Sequence, residues 1–179
     1  MKTKQSLRWI LKIVIISVVA SMSFSLASNK LFEQAGYIMA FIILAMFIAV
    51  GVVFDAIGVA VTVAQEARFH SMATRRERGA LESLRLIKNA DKVACFCSDV
   101  VGDVTGITTG TIVTLMAVRL AEGLDAENLL IPLIISGIVT GLVIGGKAAG
   151  KMIAINKSTG IVLWVGKLMN ILHLRKHNK

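Results

Sequence analysis

A chain of 179 residues that is 55% hydrophobic, with a mean hydropathy of +0.75, is not a soluble domain, and beside its apolar stretches it has no room for a second globular one. The net charge of +9 does not call for nucleic acid as a partner. The basic residues gather between the apolar stretches, as positive-inside topology requires, rather than on one surface.

The first apolar stretch runs from about Trp9 to Ala27, after a short basic start at Lys2, Lys4 and Arg8. That start resembles a signal peptide, and "SLAS" near Ser28 weakly resembles a cleavage site. The apolar part is longer than a cleaved signal needs, so residues 1–34 are expected to form a retained anchor helix and an outer loop, Ser28–Ala35. The second stretch, about Gly36 to Ala64, exceeds one straight crossing at 1.5 Å per residue. Asp55 and Gly58 interrupt it, and a break or kink is expected after Phe54. The third stretch runs from about Val93 to Val118. The fourth runs from about Leu130 to Ala149, with Pro132 in its first turn, where proline is tolerated.

Between the second and third stretches, "QEARFHSMATRRERGALESLRLIKNADK" predicts a cytoplasmic helical hairpin. Gly79 marks its bend, and Leu81, Leu84, Leu86 and Ile87 give the second arm an apolar side. Arg75, Arg76 and Arg78 suit either a phosphate or the anionic lipid of an inner leaflet. After the fourth stretch, Ile161, Trp164, Val165, Leu168 and Leu172 share one face of a C-terminal amphipathic helix, with Lys157, Lys167 and Asn170 off it, and the helix is expected to lie along the membrane. The fold class is therefore all-α, a polytopic membrane protein of about four transmembrane helices.

Chemistry is expected where charge lies in apolar sequence. A charged side chain in a bilayer costs at least about 2.5–3.5 kcal/mol, so it normally faces a partner, an ion or water. Asp55, Asp99, Asp103 and Lys147 fall inside or at the edge of the stretches. Asp99 and Asp103 are four apart, roughly 9 and 15 Å in from Val93 at 1.5 Å per residue. Thr105, Thr108 and Thr109 add hydroxyls. Three carboxylates with hydroxyls suit a hard cation such as Mg²⁺, giving Asp55, Asp99, Asp103 and Thr105 as candidate ligands. Lys147 either joins this cluster and competes with the metal or snorkels to the interface; both readings stay open. Ser98, Gly102, Gly106 and Gly110, and likewise Gly137, Gly141 and Gly145, form small-residue seams that let helices approach closely in lipid. Cys95 and Cys97, two apart on a helix, point to different faces and predict neither a disulfide nor a shared metal. His70, His173 and His177 lack metal-ligand spacing, and no catalytic signature is present, so enzymatic activity is not expected.

From Phe54 to Leu172 the chain resembles the transmembrane domain of the CNNM/CorC family of magnesium and cobalt transport and efflux proteins. "FDAIGVAVTVAQEARFHSMATRRERGA" is similar to the family's F-S-A-x-E-x-A-L segment and following hairpin, with Ala56, Ala60, Ala73 and Ala80 in register. "LRLIKNADKV" resembles L-x-L-L-x-N-P-D-R-L. "GKAAGKMIAINKSTGIVLWVGKLMNIL" resembles G-E-x-x-P-K-x-x-A and its amphipathic helix, with Gly146, Lys151 and Ala154 in place. The resemblance assigns 35–179 to such a domain. It implies an all-helical homodimer in the plasma membrane, handling a divalent cation, with Mg²⁺ as the possible bound ion. The departures fall on ion-handling positions. Asp55 replaces a serine, Gly58 and Lys147 each replace a glutamate, and Gly150 replaces a proline. The family's middle-span asparagines align with Val101 and Gly102 or, with a two-residue slip, with Asp99 and Asp103. No paired CBS domains follow, so nucleotide regulation is not expected. The alternatives are a non-transporting scaffold or partner subunit in which Lys147 replaces the ion, and a transporter of a monovalent cation or proton.

Of the 20 Lys and Arg residues, only Lys30 and Arg119 fall near the outer side. Both termini and the hairpin are thus predicted to be cytoplasmic. Reporter fusions after Asn89 and at the C-terminus should read as internal, and one after Glu122 as exported. An exported Asn89 fusion would overturn the four-span topology.

Overall fold

The computed structural model describes residues 2–34, 37–123 and 130–177. Among these, every regular element is helical. They are α1 (Lys2–Gln34), α2 (Tyr37–Val63), α3 (Glu66–Thr74), α4 (Ala80–Lys88) and α5 (Ala90–Ala94), a π-helical stretch Cys95–Gly102, then α6 (Asp103–Gly123), α7 (Leu130–Asn156) and α8 (Ser158–His177). Four runs are long and apolar enough to cross a membrane: Trp9–Leu26, Ile38–Val63, Ala90–Val118 and Pro132–Asn156. The all-α expectation therefore holds.

Several boundaries differ from the sequence reading. α1 stays helical through Gln34, so 28–34 is not a loop. α6 stays helical through Gly123, so a second outer loop, read from the sequence as Ala121–Asn128, does not begin at Ala121. Ala35 and 124–128 lie outside the described residues. α2 runs unbroken through Asp55 and Gly58, because both are accommodated by neighbours. Asp55 finds an ion-pair partner, and Gly58 takes a close helix crossing. A Cβ at Gly58 would stand 2.5 Å from Ser98 Oγ, so any side chain there would have to displace that hydroxyl. α7 continues past Ala149 to Asn156.

The chain forms two compact units, each made of two stretches: 1–52 with 99–147, and 53–98 with 148–179. In the first, α1 lies against α6. Ala40, Ile43, Leu44 and Phe47 of α2, at helical spacing, bury against Ile112 and Val113 of α6. Phe24 of α1 meets Phe47 edge to face, with ring centroids 5.8 Å apart. Most of α1 and α7 remains uncovered within the single chain, which suits helices bathed in lipid.

The second unit is built around the hairpin α3–α4 and its crossing with α8. Its core joins Ala60 and Val61 of α2, Phe69 of α3, Leu84 of α4, Ala154 of α7 and Val162 of α8. Gly79 occupies the left-handed region at φ 85° ahead of α4, the conformation a glycine adopts without strain. Glu82 in the first turn of α4 and Arg85 and Lys88 in its last match the helix dipole. Asn89 closes α4, its Nδ2 donating to the Arg85 carbonyl at 2.9 Å, and its own carbonyl accepts the first bonds of α5. Of the expected apolar side of α4, Leu84 is buried and Leu86 and Ile87 half-buried, but Leu81 faces outward. Ser83 occupies the contact instead, donating to the Val162 carbonyl at 3.0 Å.

α8 presents two faces. Val162 and Gly166 are buried against α4, and a Cβ at Gly166 would collide with Ser83 Oγ and stand 2.5 Å from the Gly79 carbonyl oxygen. The face carrying Trp164 and Leu168 is exposed, with Ile161 and Val165 at its half-buried edge; the side chain of Leu172 lies outside the described residues. The amphipathic face read from the sequence is thus the uncovered one, and a smaller strip holds the helix to the protein.

Gly166→Val should destabilise the protein by about 1–3 kcal/mol through overpacking. Ser83→Ala should cost about 1 kcal/mol for one lost hydrogen bond. Both are read as earlier thermal unfolding in detergent, with Gly160→Ala, whose Cβ would meet nothing within 4 Å, as the tolerated control.

Candidate functional site

The π-helical stretch Cys95–Gly102 lies within the third apolar span. Such turns are rare and are often found at functional sites. It ends where α6 begins, and at that junction the Gly102 carbonyl becomes an acceptor for side chains. Thr105 Oγ1 shares its proton between the Val101 carbonyl at 2.8 Å and the Gly102 carbonyl at 3.0 Å. Lys147 Nζ, from α7, donates to the same Gly102 oxygen at 3.1 Å.

Lys147 thus turns its ammonium onto the backbone of this junction. It is half-buried in a notch formed by residues without bulk. A Cβ at Gly106 would lie 3.5 Å from its Nζ, and one at Gly51 would lie 3.9 Å from its Cε and 2.7 Å from Thr105 Oγ1. Glycine at 51 is what leaves room for the Thr105 hydroxyl, while a Cβ at 106 would be in ordinary contact with the ammonium. Thr105, Thr108 and Thr109 are all buried, and Thr108 also bonds backward to its own helix, at the Val104 carbonyl.

Asp99 and Asp103 belong to the same unit but point elsewhere. Both are exposed, and with Ser17 and Ser21 of α1 they line a groove of about 450 Å³. Val18, Met22, Val104 and Ile107 complete its walls. Neither carboxylate is in an ion pair among the described residues. Two carboxylates and two hydroxyls from two helices, each pair four residues apart, make a hard-oxygen donor set inside apolar sequence. The serines are absent from the ligand set read off the sequence. Their signal was the matching four-residue spacing in the first span.

Asp55 belongs to the other unit. Its carboxylate is buried and lies 3.3 Å from Lys151 Nζ, which is half-exposed. Lys151 is a third residue absent from the candidate site read off the sequence, although it stands one helical turn beyond Lys147. Asp55 and Lys147, placed in one candidate cluster by the sequence, thus each have a different partner. Among the described residues no three His, Cys, Asp or Glu side chains gather closely enough to hold a metal ion. Asp55, Asp99, Asp103 and Thr105 accordingly divide into a paired carboxylate, a two-carboxylate groove and a hydroxyl committed to backbone carbonyls. No disulfide joins Cys95 and Cys97.

Outside the spans, His70 accepts or donates one hydrogen bond with Glu66 at 3.2 Å, one helical turn away on α3. The side chains of His173 and His177 lie outside the described residues. The basic turn holds Arg76 at φ 56°. Arg78 and Glu77 share a depression of about 810 Å³ with Lys167, Asn170 and Ile171 of α8. Gly110, Gly137, Gly141 and Gly145 have nothing within 4 Å of where a Cβ would be, so the α7 seam is open in the single chain.

The sequence matches no protein-family model and no characterised protein, and no solved structure matches the chain.

The Asp55–Lys151 pair is testable by a double-mutant cycle. Lys151→Met leaves a buried carboxylate unpartnered and should cost about 1–3 kcal/mol. Asp55→Asn in that background should recover part of the loss. Strictly additive shifts in unfolding temperature would show that the pair contributes no coupling.

Proposed function

We propose that the chain is an integral membrane protein of the divalent-cation transport type, built on the CNNM/CorC transmembrane plan, with Mg²⁺ as its cation. Asp99 and Asp103 are its ligands, and Ser17 and Ser21 assist from α1. The observation that carries this reading is the groove itself, where two carboxylates outside any described ion pair stand among apolar residues of a span. Charges so placed need a counter-ion. Mg²⁺ is commonly bound through one or two carboxylates while keeping several waters, and a groove of this size leaves room for them. Both termini and the hairpin face the cytoplasm of a cell whose plasma membrane holds the four spans. The open Gly137–Gly141–Gly145 edge of α7 suits the close approach of a second copy.

A second reading draws on Lys147. Its ammonium lies on the Gly102 carbonyl at the π-to-α junction, at the position where the resemblance expects an acidic residue. On this reading the lysine is a tethered cation, and the protein is a non-transporting partner subunit.

Calorimetric titration of purified protein with Mg²⁺ separates the two. Transport-type function predicts binding by the wild type, weakened about tenfold or more in Asp99→Asn and little changed in Lys147→Met. The tethered-cation reading predicts no binding by the wild type and a new site in Lys147→Glu. Absence of binding in the wild type and in Lys147→Glu would overturn both.

A further inference from the structure

The second unit carries a groove that cation chemistry does not use. It has a volume of about 450 Å³, within the roughly 300–1,000 Å³ range of small-molecule sites. One wall is Val53, Ala56 and Ile57 of α2; the other is Gly160, Ile161 and Trp164 of α8. Lys157, at the junction of α7 and α8, is the sole charged residue of its lining. We infer that this groove binds one anionic phospholipid of the surrounding bilayer, with an acyl chain along the apolar walls and the headgroup phosphate on Lys157.

Three observations lead to that occupant. The α2 wall belongs to the span Ile38–Val63, and its residues lie roughly 9–15 Å short of that span's C-terminal end at 1.5 Å per residue. That is acyl-chain depth just inside an interface. Charge complementarity follows. The Lys157 side chain is exposed and in no ion pair among the described residues, whereas nearby Lys151 is already committed to Asp55. Trp164, 59% exposed, offers the amphipathic ring that favours the membrane–water boundary.

Gly160 adds an independent argument. A glycine within a helix is about 1 kcal/mol less favourable than alanine, and packing does not require this one, since a Cβ there would meet nothing within 4 Å. Gly166, six residues on, is the opposite case, because its Cβ position is filled by α4. The missing side chain at Gly160 leaves the groove open. A neutral lipid would satisfy the walls but not Lys157, and a free anion would satisfy Lys157 but not the walls.

The chain has two tryptophans, so Trp9→Phe leaves Trp164 as the only reporter. This variant is reconstituted in vesicles containing brominated phosphatidylglycerol or, separately, brominated phosphatidylcholine, and quenching of Trp164 is measured. The expected preference for the anionic lipid is about fivefold, the ratio one lysine near an anionic surface supplies. Lys157→Met should bring that ratio to about one, Lys157→Arg should retain it, and Gly160→Leu should reduce quenching by both lipids. Equal quenching by the two lipids means unselective bilayer contact and overturns the inference. So does a preference that survives Lys157→Met, or quenching unchanged by Gly160→Leu. Trp164 shielded from both lipids while crosslinking captures a dimer through α8 would assign the groove to a second copy instead.

Discussion

A carbonyl or carboxylate turned into the packed interior of an apolar span has no water to turn to, and its partners have to come from the protein. α7 meets that need twice with lysines one turn apart. Lys147 donates to the Gly102 carbonyl in one compact unit, and Lys151 pairs with the Asp55 carboxylate in the other. An apolar helix that carries two ammonium groups would be costly alone. Here each ammonium is an internal ligand, and each removes a penalty that its partner would otherwise carry. The π-helical stretch depends on this arrangement, because its last carbonyl is where Lys147 and Thr105 converge. Asp55 depends on it equally, since α2 continues as a helix through a charged residue whose carboxylate already has a counter-ion.

Much of the fold was legible because lipid and helix geometry both write long, regular signals. Four apolar runs of sufficient length gave four spans, displaced by only a few residues at most ends. Gly79 ahead of a segment with one apolar side gave the hairpin. The failures share a cause. The break expected at Asp55 and Gly58 assumed that a charge and a glycine act on their own helix, whereas each is answered by another segment: Lys151, 96 positions later in the sequence, and Ser98 of the π-helical stretch. The π-helical turn was invisible because no residue type or spacing announces it. Within it, positions four apart no longer complete a turn, so the Ser98-to-Gly110 seam is not one continuous edge. Its inner members meet neighbours, and Gly110 meets none.

The candidate site was legible in its residues and not in its grouping. Depth along separate helices put Asp55, Asp99, Asp103 and Lys147 at similar levels, but level says nothing about azimuth. Asp99 and Asp103 turn toward the serines of α1, while Lys147 turns toward the backbone of the π-to-α junction. α1 was read as an anchor, and its contribution to the groove follows from its contact with α6, which hydropathy cannot reveal. Ser17 and Ser21 looked like ordinary span serines, a residue type that often bonds its own helix, as Ser23 does to Val19. Only the facing carboxylates give them another use.

The glycines then separate into three kinds by what a side chain would meet. Gly58, Gly79 and Gly166 are places where a Cβ has no room, and there glycine fixes how closely segments cross. At Gly51 glycine makes space for another residue's side chain, since a Cβ there would stand 2.7 Å from Thr105 Oγ1, whereas one at Gly106 would make ordinary contact with Lys147. Gly110, Gly137, Gly141, Gly145 and Gly160 would meet nothing within 4 Å among the described residues, so no packing described within the chain requires their lack of bulk. A glycine inside a helix costs about 1 kcal/mol relative to alanine, and the contacts proposed from outside the chain give that cost a reason. For the α7 row, spaced every four residues, a straight helix fits that space. For Gly160, alone beside a lysine at the end of an apolar groove, a flexible chain with a charged end fits it. The same residue type thus marks internal contacts at some positions and, at others, the faces on which a second copy and a lipid are proposed.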